Sequence, residues 1–562
     1  MIIIFCLCAS MVWADSFDDW LELRGDPAIA EKYLIWAEEA IVEGQWSKAR
    51  AALERASDFA DVSSDISYLT ALARFRAGES GGMVLEALDR AIQAGRWTHY
   101  SETAARMLQA DQLIIMRRYS DALDLLAATV ADGGYNSETA LLRLFAFRGL
   151  RRNNDFRLTM RESLERYPRD PRFLNLLFDY AFEHKLGEND PLMEIAFRRL
   201  PFLLDTDLEL AWKAAIVSND DDARRLTAAY RAGSLQPNPA YLVPALNQGL
   251  LFDEEATNEL FDFSFSYDPV LDKTLLVNVW ELLRREEGRE YFAGKLSSFS
   301  GVLIEDEDRD GFPESRTVYR QGILQEYYYD ANQDNLDDIF IIFDSGNPKW
   351  ALITPSSAQL PIQIFWEHYP FVQRAVQGNE TWVFGPGDFV YAPIDFDEIG
   401  GSFRISGLQY PRRNPGSRDI GRRVLASSAV MVYRPGIEFD NSTERVYLHR
   451  GIPLRSEVML NGLIVSITEF ENGSPIVQRL DLDADGTMET IRRFRRITPG
   501  GTISSGESFT PDYRPFIRSS ESTRNSSPFF SSAELYPEDG SIVYIWDLDG
   551  TGIRDYFLIN EE

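Results

Sequence analysis

Two hydrophobic periods divide the chain near Ser298. Before it, from about Asp15, apolar residues recur every three or four positions, which is one face of an α-helix; after it they alternate singly, as on a strand. "EKYLIWAEEAIVEGQWSKARAALERASDFAD", from Glu31, predicts a helix, a break at Glu43-Gly44 and a second helix. Tyr33, Trp36, Ala37, Ala40, Ala49, Leu53 and Ala56 share a face on which large and small residues mix. Alanines let paired helices approach closely, and bulky neighbours fill the groove beside them. "MRRYSDALDLLAATVADGG" repeats the second-helix pattern through Ala122 and Leu126, and in "LERYPRDPRFLNLLFDYAFEHKLG" Pro168 marks a turn before Asp170-Pro171 opens a new helix. Less regular pairs follow in "DLELAWKAAIVSNDDDARRLTAAYRAG" and "TLLVNVWELLRREEGREYFAGKL".

Past Ser298, runs such as "GVLIE", "ILQEYYYD", "DIFIIFDSG" and "VMVYRPG" are short, β-branched and aromatic. Asn461-Gly462 and Asn472-Gly473 are hairpin-turn signals. The Ser-, Gly- and Pro-rich stretch from Thr498 predicts a long linker over about residues 498–532. The expected fold class is multidomain, α then β. An N-terminal α-solenoid of helical hairpins over 15–298 precedes mainly antiparallel β-repeat structure over 299–562.

The large/small positions of the first helix pair and the Tyr-Pro-Arg-Asp-Pro turn resemble tetratricopeptide-type repeats, and the likeness extends, with drifting lengths, over the first half. Such hairpins bury their apolar faces only by stacking. The resemblance implies a protein or peptide partner held along the concave surface; the alternative is a spacer arm carrying the second half. "YRQGIL", from Tyr319, is similar to the Tyr-x-x-Gly-x-Leu hairpin arrays of exported bacterial proteins.

Acidic loops supply the candidate chemistry. "DEDRDGFPE" from Asp306, "DANQDNLDD" from Asp330, "DLDADGTME" from Asp481 and "DLDGTGIRD" from Asp547 share a register. Oxygen-bearing side chains fall at their first, third, fifth and ninth positions: Asp306, Asp308, Asp310 and Glu314; Asp330, Asn332, Asp334 and Asp338; Asp481, Asp483, Asp485 and Glu489; Asp547, Asp549, Thr551 and Asp555. The sixth position is Gly or Asn, which accept positive φ. A hard cation takes six to eight oxygens, so this spacing fits Ca²⁺ better than Mg²⁺, which demands octahedral geometry. The twelfth position, a bidentate Glu in an EF-hand, is Thr317, Ile341, Arg492 and Leu558 here. The loops are similar instead to the calcium turns of FG-GAP-type β-repeats, which implies closure by the ninth residue. Weak binding is expected, on the order of 10⁻⁴–10⁻³ M. The alternative is a set of turns whose carboxylates cap backbone amides without metal.

Charge and composition narrow the function. A net charge of −31 disfavours a nucleic-acid partner, because phosphates are repelled. "MIIIFCLCASMVWADS" reads as a signal segment ending near Ala14, too short to span a bilayer, and places the protein in the periplasm or at the cell envelope. No other stretch is apolar enough for an integral membrane span. Cys6 and Cys8, its two cysteines, lie within that segment, so the mature chain carries no thiol chemistry. His99, His184, His368 and His449 lack metal-ligand spacing, and "GESGG" from Gly78 follows a helix rather than the strand a nucleophile elbow needs. Non-catalytic binding or scaffolding is the expected function. The rival is an enzyme acting on polysaccharide or envelope material, with Glu367 and His368 in a cleft lined by Trp350, Trp366 and Trp382. Five arginines between Arg412 and Arg423 are expected to form a solvated loop near acidic neighbours.

Overall fold

The computed structural model describes residues 27–560 apart from 61–62, 236, 263–269, 308–311, 355–359, 399–407, 418–419, 437, 495–516, 524–529, 537–541 and 547–555. Internal contacts divide the chain into two units. One runs to Ile323 and adds Tyr328–Asp337 and Glu398–Tyr410; the other takes Leu324–Tyr327, Asp338–Asp397 and the chain from Pro411.

The first unit opens with paired helices: α1 (Pro27–Val42) and α2 (Trp46–Phe59), α3 (Ser64–Arg76) and α4 (Gly81–Ala94), α5 (Glu102–Ile115) and α6 (Tyr119–Ala131). Next come α7 (Ser137–Gly149) and α8 (Asn153–Arg166), α9 (Pro171–His184) and α10 (Pro191–Leu203), α11 (Glu209–Val217) and α12 (Asp220–Gly233). Shorter helices follow, α13 (Leu242–Asn247) and α14 (Asp253–Asp262), then α15 (Lys273–Leu282) and α16 (Glu286–Ser297). Ala37, Ala49 and Ala56 are completely buried between α1 and α2, with Leu53 beside them, as the large/small pattern requires. Trp36 departs from the expectation: it is 57% exposed and meets Tyr33 edge-on, while Tyr33 stacks on Phe59. An indole one position from the alanine seam falls on the rim of the face rather than in it.

Helix starts follow the capping residues. Asp170 accepts from the Arg172 amide at 3.1 Å with Pro171 in the first turn, and Asp190 and Pro191 repeat the device. Stacking between hairpins has a period visible in the bonds themselves. Arg172 reaches Glu138 across 34 positions, Lys213 reaches Asp179 across 34, Arg157 reaches Asp190 across 33 and Tyr291 reaches Asn258 across 33. Asp65, 1% exposed, accepts the amides of Thr98, His99 and Tyr100 at 3.0–3.2 Å and so ties the α4–α5 connection to α3.

The first unit also holds β1 (Val270–Asp272), parallel to β2 (Gly301–Glu305), which pairs antiparallel with β3 (Ser315–Arg320). Lys273 pairs with Glu305 at 2.5 Å and lies 3.9 Å from the ring centroid of Tyr410, whose hydroxyl also bonds Glu305.

Strand β4 (Ile323–Tyr329) precedes β5 (Ile339–Asp344), β6 (Asn347–Ile353), β7 (Ile362–His368), β8 (Phe371–Gln377) and β9 (Glu380–Val383). After β10 (Ile394–Glu398), β11 (Gln409–Arg413) and α17 (Arg422–Ser428) come β12 (Met431–Pro435), β13 (Thr443–His449), β14 (Ile452–Leu460) and β15 (Leu463–Glu471). The chain then continues through β16 (Ser474–Leu480), β17 (Thr490–Phe494), β18 (Ile517–Thr523), β19 (Phe530–Leu535), β20 (Ile542–Trp546) and β21 (Tyr556–Asn560). In the second unit each strand from β5 to β9 pairs antiparallel with the next, β9 pairs with β12, and the meander runs on to β21. Asn461-Gly462 and Asn472-Gly473 turn at positive φ in both residues, the primed geometry that matches strand twist. The stretch from Thr498 is not wholly a linker: β18 and the start of β19 lie within it. Serines mask that strand by composition, yet on the pleat they bond across it, Thr490 Oγ1 lying 2.8 Å from Ser522 Oγ.

Candidate functional site

The acidic loop between β16 and β17 gathers oxygen. Asp481 is fully buried; its Oδ1 accepts the Asp485 amide at 3.1 Å and its Oδ2 the Gly486 amide at 2.7 Å. Asp483 also accepts from the Asp485 amide, Asp485 accepts from Thr487, and Glu489 Oε1 accepts from the Leu482 amide at 2.7 Å. Ala484 and Gly486, at φ 58° and 95°, wind the loop tightly enough for this circuit. One oxygen from each of Asp481, Asp483, Asp485 and Glu489 lies within 4.8 Å of the others. Each ionised carboxylate offers about four lone-pair sites, so the amide bonds leave oxygen capacity facing the cluster.

The loop from Asp330 repeats the circuit in the same phase. Asp330 accepts from the amides of Asp334 and Asn335, Asn332 from Asp334, and Asp334 from Leu336. Gln333 and Asn335, at φ 54° and 63°, stand where Ala484 and Gly486 stand in the other loop. Its tip docks on the helices of its own unit. The Gly81 amide donates to the Asp334 carbonyl at 2.7 Å, and Asn335 Nδ2 donates to the Glu79 carbonyl at 3.4 Å. Asp338, its ninth residue, belongs to the second unit, where its carbonyl accepts from the Thr354 amide.

In the first loop Glu314 is buried, and the Glu307 amide donates to its Oε2 at 2.6 Å, the counterpart of the Leu482–Glu489 bond. Its Oε1 forms an ion pair with Arg117, from the α5–α6 turn, and Arg117 Nη1 also donates to the Ala331 carbonyl at 3.4 Å. Asp306 contributes to the field at Arg148: burial works against the guanidinium charge there, but a bond to Glu183 and the nearby Asp179 and Asp306 carboxylates hold its pKa above the usual value. Asp308 and Asp310 lie outside the described residues, as do Asp547, Asp549, Thr551 and Asp555. Sequence reasoning missed Arg117. Its only local mark is a left-handed φ of 58° after α5, a conformation the residue type does not advertise.

The cleft expected for an enzyme does not form from its three indoles. Trp366 is buried and donates to the Tyr391 carbonyl at 2.9 Å, Trp382 is completely buried, and Trp350 packs edge-on against Phe340. Glu367 and His368 are exposed on β7. "GESGG" is the α3–α4 turn, with Gly78 at φ 67° stopping one helix and Gly81 starting the next. Within the arginine-rich stretch, Arg422 pairs with Glu380.

No family model matches the chain. A protein of Treponema pallidum (strain Nichols), itself uncharacterized, is 20% identical over 83% of this chain and 72% of its own length. Among solved structures, MamA (41-end) from Desulfovibrio magneticus RS-1 is 14% identical and superposes 31% of this chain on 93% of its own, with a TM-score of 0.26. PilF of Pseudomonas aeruginosa is 13% identical over 43% of this chain and 92% of that one, with a TM-score of 0.29. Among the described residues, no helix is long and apolar enough to cross a membrane.

Proposed function

We propose that the chain is a non-catalytic, exported scaffold whose stacked hairpins hold a protein partner and whose β loops take Ca²⁺. The carrying observation is the ladder of bonds at separations of 33 and 34 positions, which fixes successive hairpins against one another before any partner arrives. A surface held rigid in advance loses less entropy on binding than one that must order itself. Aromatic side chains at Trp36, Phe182 and Phe202 stand exposed on these helices and supply apolar contact area. Photo-crosslinking residues placed at those positions in cells should yield a discrete adduct. Absence of adducts from every helical position, with the chain at normal abundance, overturns the scaffold reading. Export requires a mature N-terminus after Ala14, which terminal sequencing reads.

The Ca²⁺ part rests on the Asp481 loop. With oxygens within 4.8 Å, two ionised carboxylates repel by about 3.5 kcal/mol at an effective dielectric of 20. Among the described residues no Lys or Arg pairs with Asp481, Asp483 or Asp485, and the donors they accept from are backbone amides. A divalent cation bound by Asp481, Asp483, Asp485 and Glu489 removes that repulsion.

A further inference from the structure

Beside the turn that receives the Asp330 loop, a groove of about 320 Å³ runs between α2, α3 and α4. Trp46, Arg50 and Glu54 line it from α2, Arg74 from α3 and Arg90 from α4, and Glu79 lies at the turn. Three guanidinium groups thus share one groove in a chain of net charge −31. Two of them already hold a carboxylate. Arg50 forms an ion pair with Glu79, and Arg74 Nε lies 3.6 Å from the other Glu79 oxygen. Arg74 is steadied by a 3.0 Å bond to the Met83 carbonyl, and the Glu79 backbone by Asn335. Arg90 is exposed and makes no ion pair among the described residues.

We propose that this groove binds an acidic, extended segment of a partner protein, with Glu79 occupying part of the site until a partner carboxylate displaces it. This rests on the scaffold reading and names the partner's chemistry. Arg50 is 64% exposed, so its pair with Glu79 is screened and exchange for another carboxylate costs little. A second acidic residue then reaches Arg90, whose charge is unmatched, and that contact supplies the gain. Apolar Leu53 and Ile66 floor the groove and favour aliphatic residues between the acids. Glu54, on the same wall, disfavours an unbroken acidic run and selects spaced carboxylates.

The test is fluorescence polarisation of the full chain with a fluorescein-labelled peptide of alternating Glu and Val, against the same peptide with Gln for Glu. The acidic peptide should bind and the Gln peptide should not. Arg50→Ala and Arg90→Ala should each weaken binding by about tenfold or less, as expected for single solvent-facing charge pairs. Glu79→Gln should tighten it, because an internal competitor is removed. Arg225→Ala, on the exposed face of α12, should leave it unchanged. No binding of the acidic peptide, binding indifferent to Arg50 and Arg90, or weakening by Glu79→Gln overturns the proposal. Adducts from Trp36, Phe182 or Phe202 alongside such a result would leave the scaffold reading standing.

Discussion

Replacing Arg117 with Met should uncouple the first acidic loop from the helices at a measurable energetic price. Glu314 is 1% exposed in its side chain, so its charge is held away from water, and Arg117 is the cation that meets it. Removing one partner of a buried pair typically costs about 3–5 kcal/mol, because the other charge is left uncompensated. Glu314 keeps the Glu307 amide bond and a long contact from Gln333 Nε2 at 3.4 Å, so a loss just below that range, about 2–3 kcal/mol, is expected. Arg117 also anchors the Ala331 carbonyl, so the Asp330 loop should loosen with it. The Gly81 amide, which donates to Asp334, reports that loosening. Its hydrogen exchange should accelerate by about 30- to 150-fold if the opening energy falls by that amount. Glu314→Gln combined with Arg117→Met should recover much of the loss, since no buried charge remains; the double-mutant cycle then gives the coupling directly. Exchange at Gly81 unchanged within a factor of two, or a double variant no better than Arg117→Met, refutes the account.

Three further outcomes are expected. Ca²⁺ at about 5 mM should stabilise the full chain by about 1–2 kcal/mol if the Asp481 site binds in the 10⁻⁴–10⁻³ M range, with Asp481→Asn abolishing the effect in calorimetric melts; an unchanged melt in the parent chain dismisses the metal. Asp65→Ala should destabilise the α3–α5 region by about 3 kcal/mol in urea unfolding, since three backbone amides lose a charged acceptor; a loss below about 1 kcal/mol contradicts the role given to those bonds. Burial, and then the Glu138 charge, push the Asp111 carboxyl up to about 6, with Arg76 opposing. A raised carboxyl pKa means the folded state holds the proton more tightly, so this contribution is complete below the unfolded value near 4 and is lost as pH rises through about 6. Subtracting the pH–stability profile of Asp111→Asn from that of the parent isolates it, and a flat difference between pH 4 and 7 rules it out.

The fold was legible where a residue's local preference and its tertiary environment agree. Alanines at 37, 49 and 56 announce close helix packing and are completely buried. Asn-Gly pairs at 461 and 472 announce primed turns, and both residues of each adopt positive φ. The reading failed where a residue serves a role its composition disguises. Serines in β18 look like linker because a hydroxyl suits solvent as well as it suits a cross-strand bond. Trp366 and Trp382 look like a sugar-binding cleft because an indole suits a ligand as well as a sheet core. Within the loops, the shared register was legible and the pairing of Glu314 with Arg117 was not, since the partners lie almost two hundred positions apart.

That pairing explains why equivalent loops need not do the same work. Each converging set of carboxylates must be neutralised, and amide hydrogens are partial charges that cannot balance several full ones. In the first loop a guanidinium from the helices meets the ninth-position acid, as Arg117 does Glu314. In the second, Asn332 replaces an acid at the third position, which lowers the repulsion at source and leaves the tip to dock on Gly81 through the Asp334 carbonyl and on Glu79 through the Asn335 side-chain amide. The Asp481 loop keeps all four acids, and its three aspartates accept from backbone amides. On the calcium reading proposed above, a divalent cation would relieve the most repulsion at the Asp481 loop, where four acids share one cluster. The order of Ca²⁺ dependence should follow, with Asp481→Asn removing more of the calcium response than Asp330→Asn. Equal losses from the two substitutions would show that register, and not local charge balance, decides which loop takes the ion.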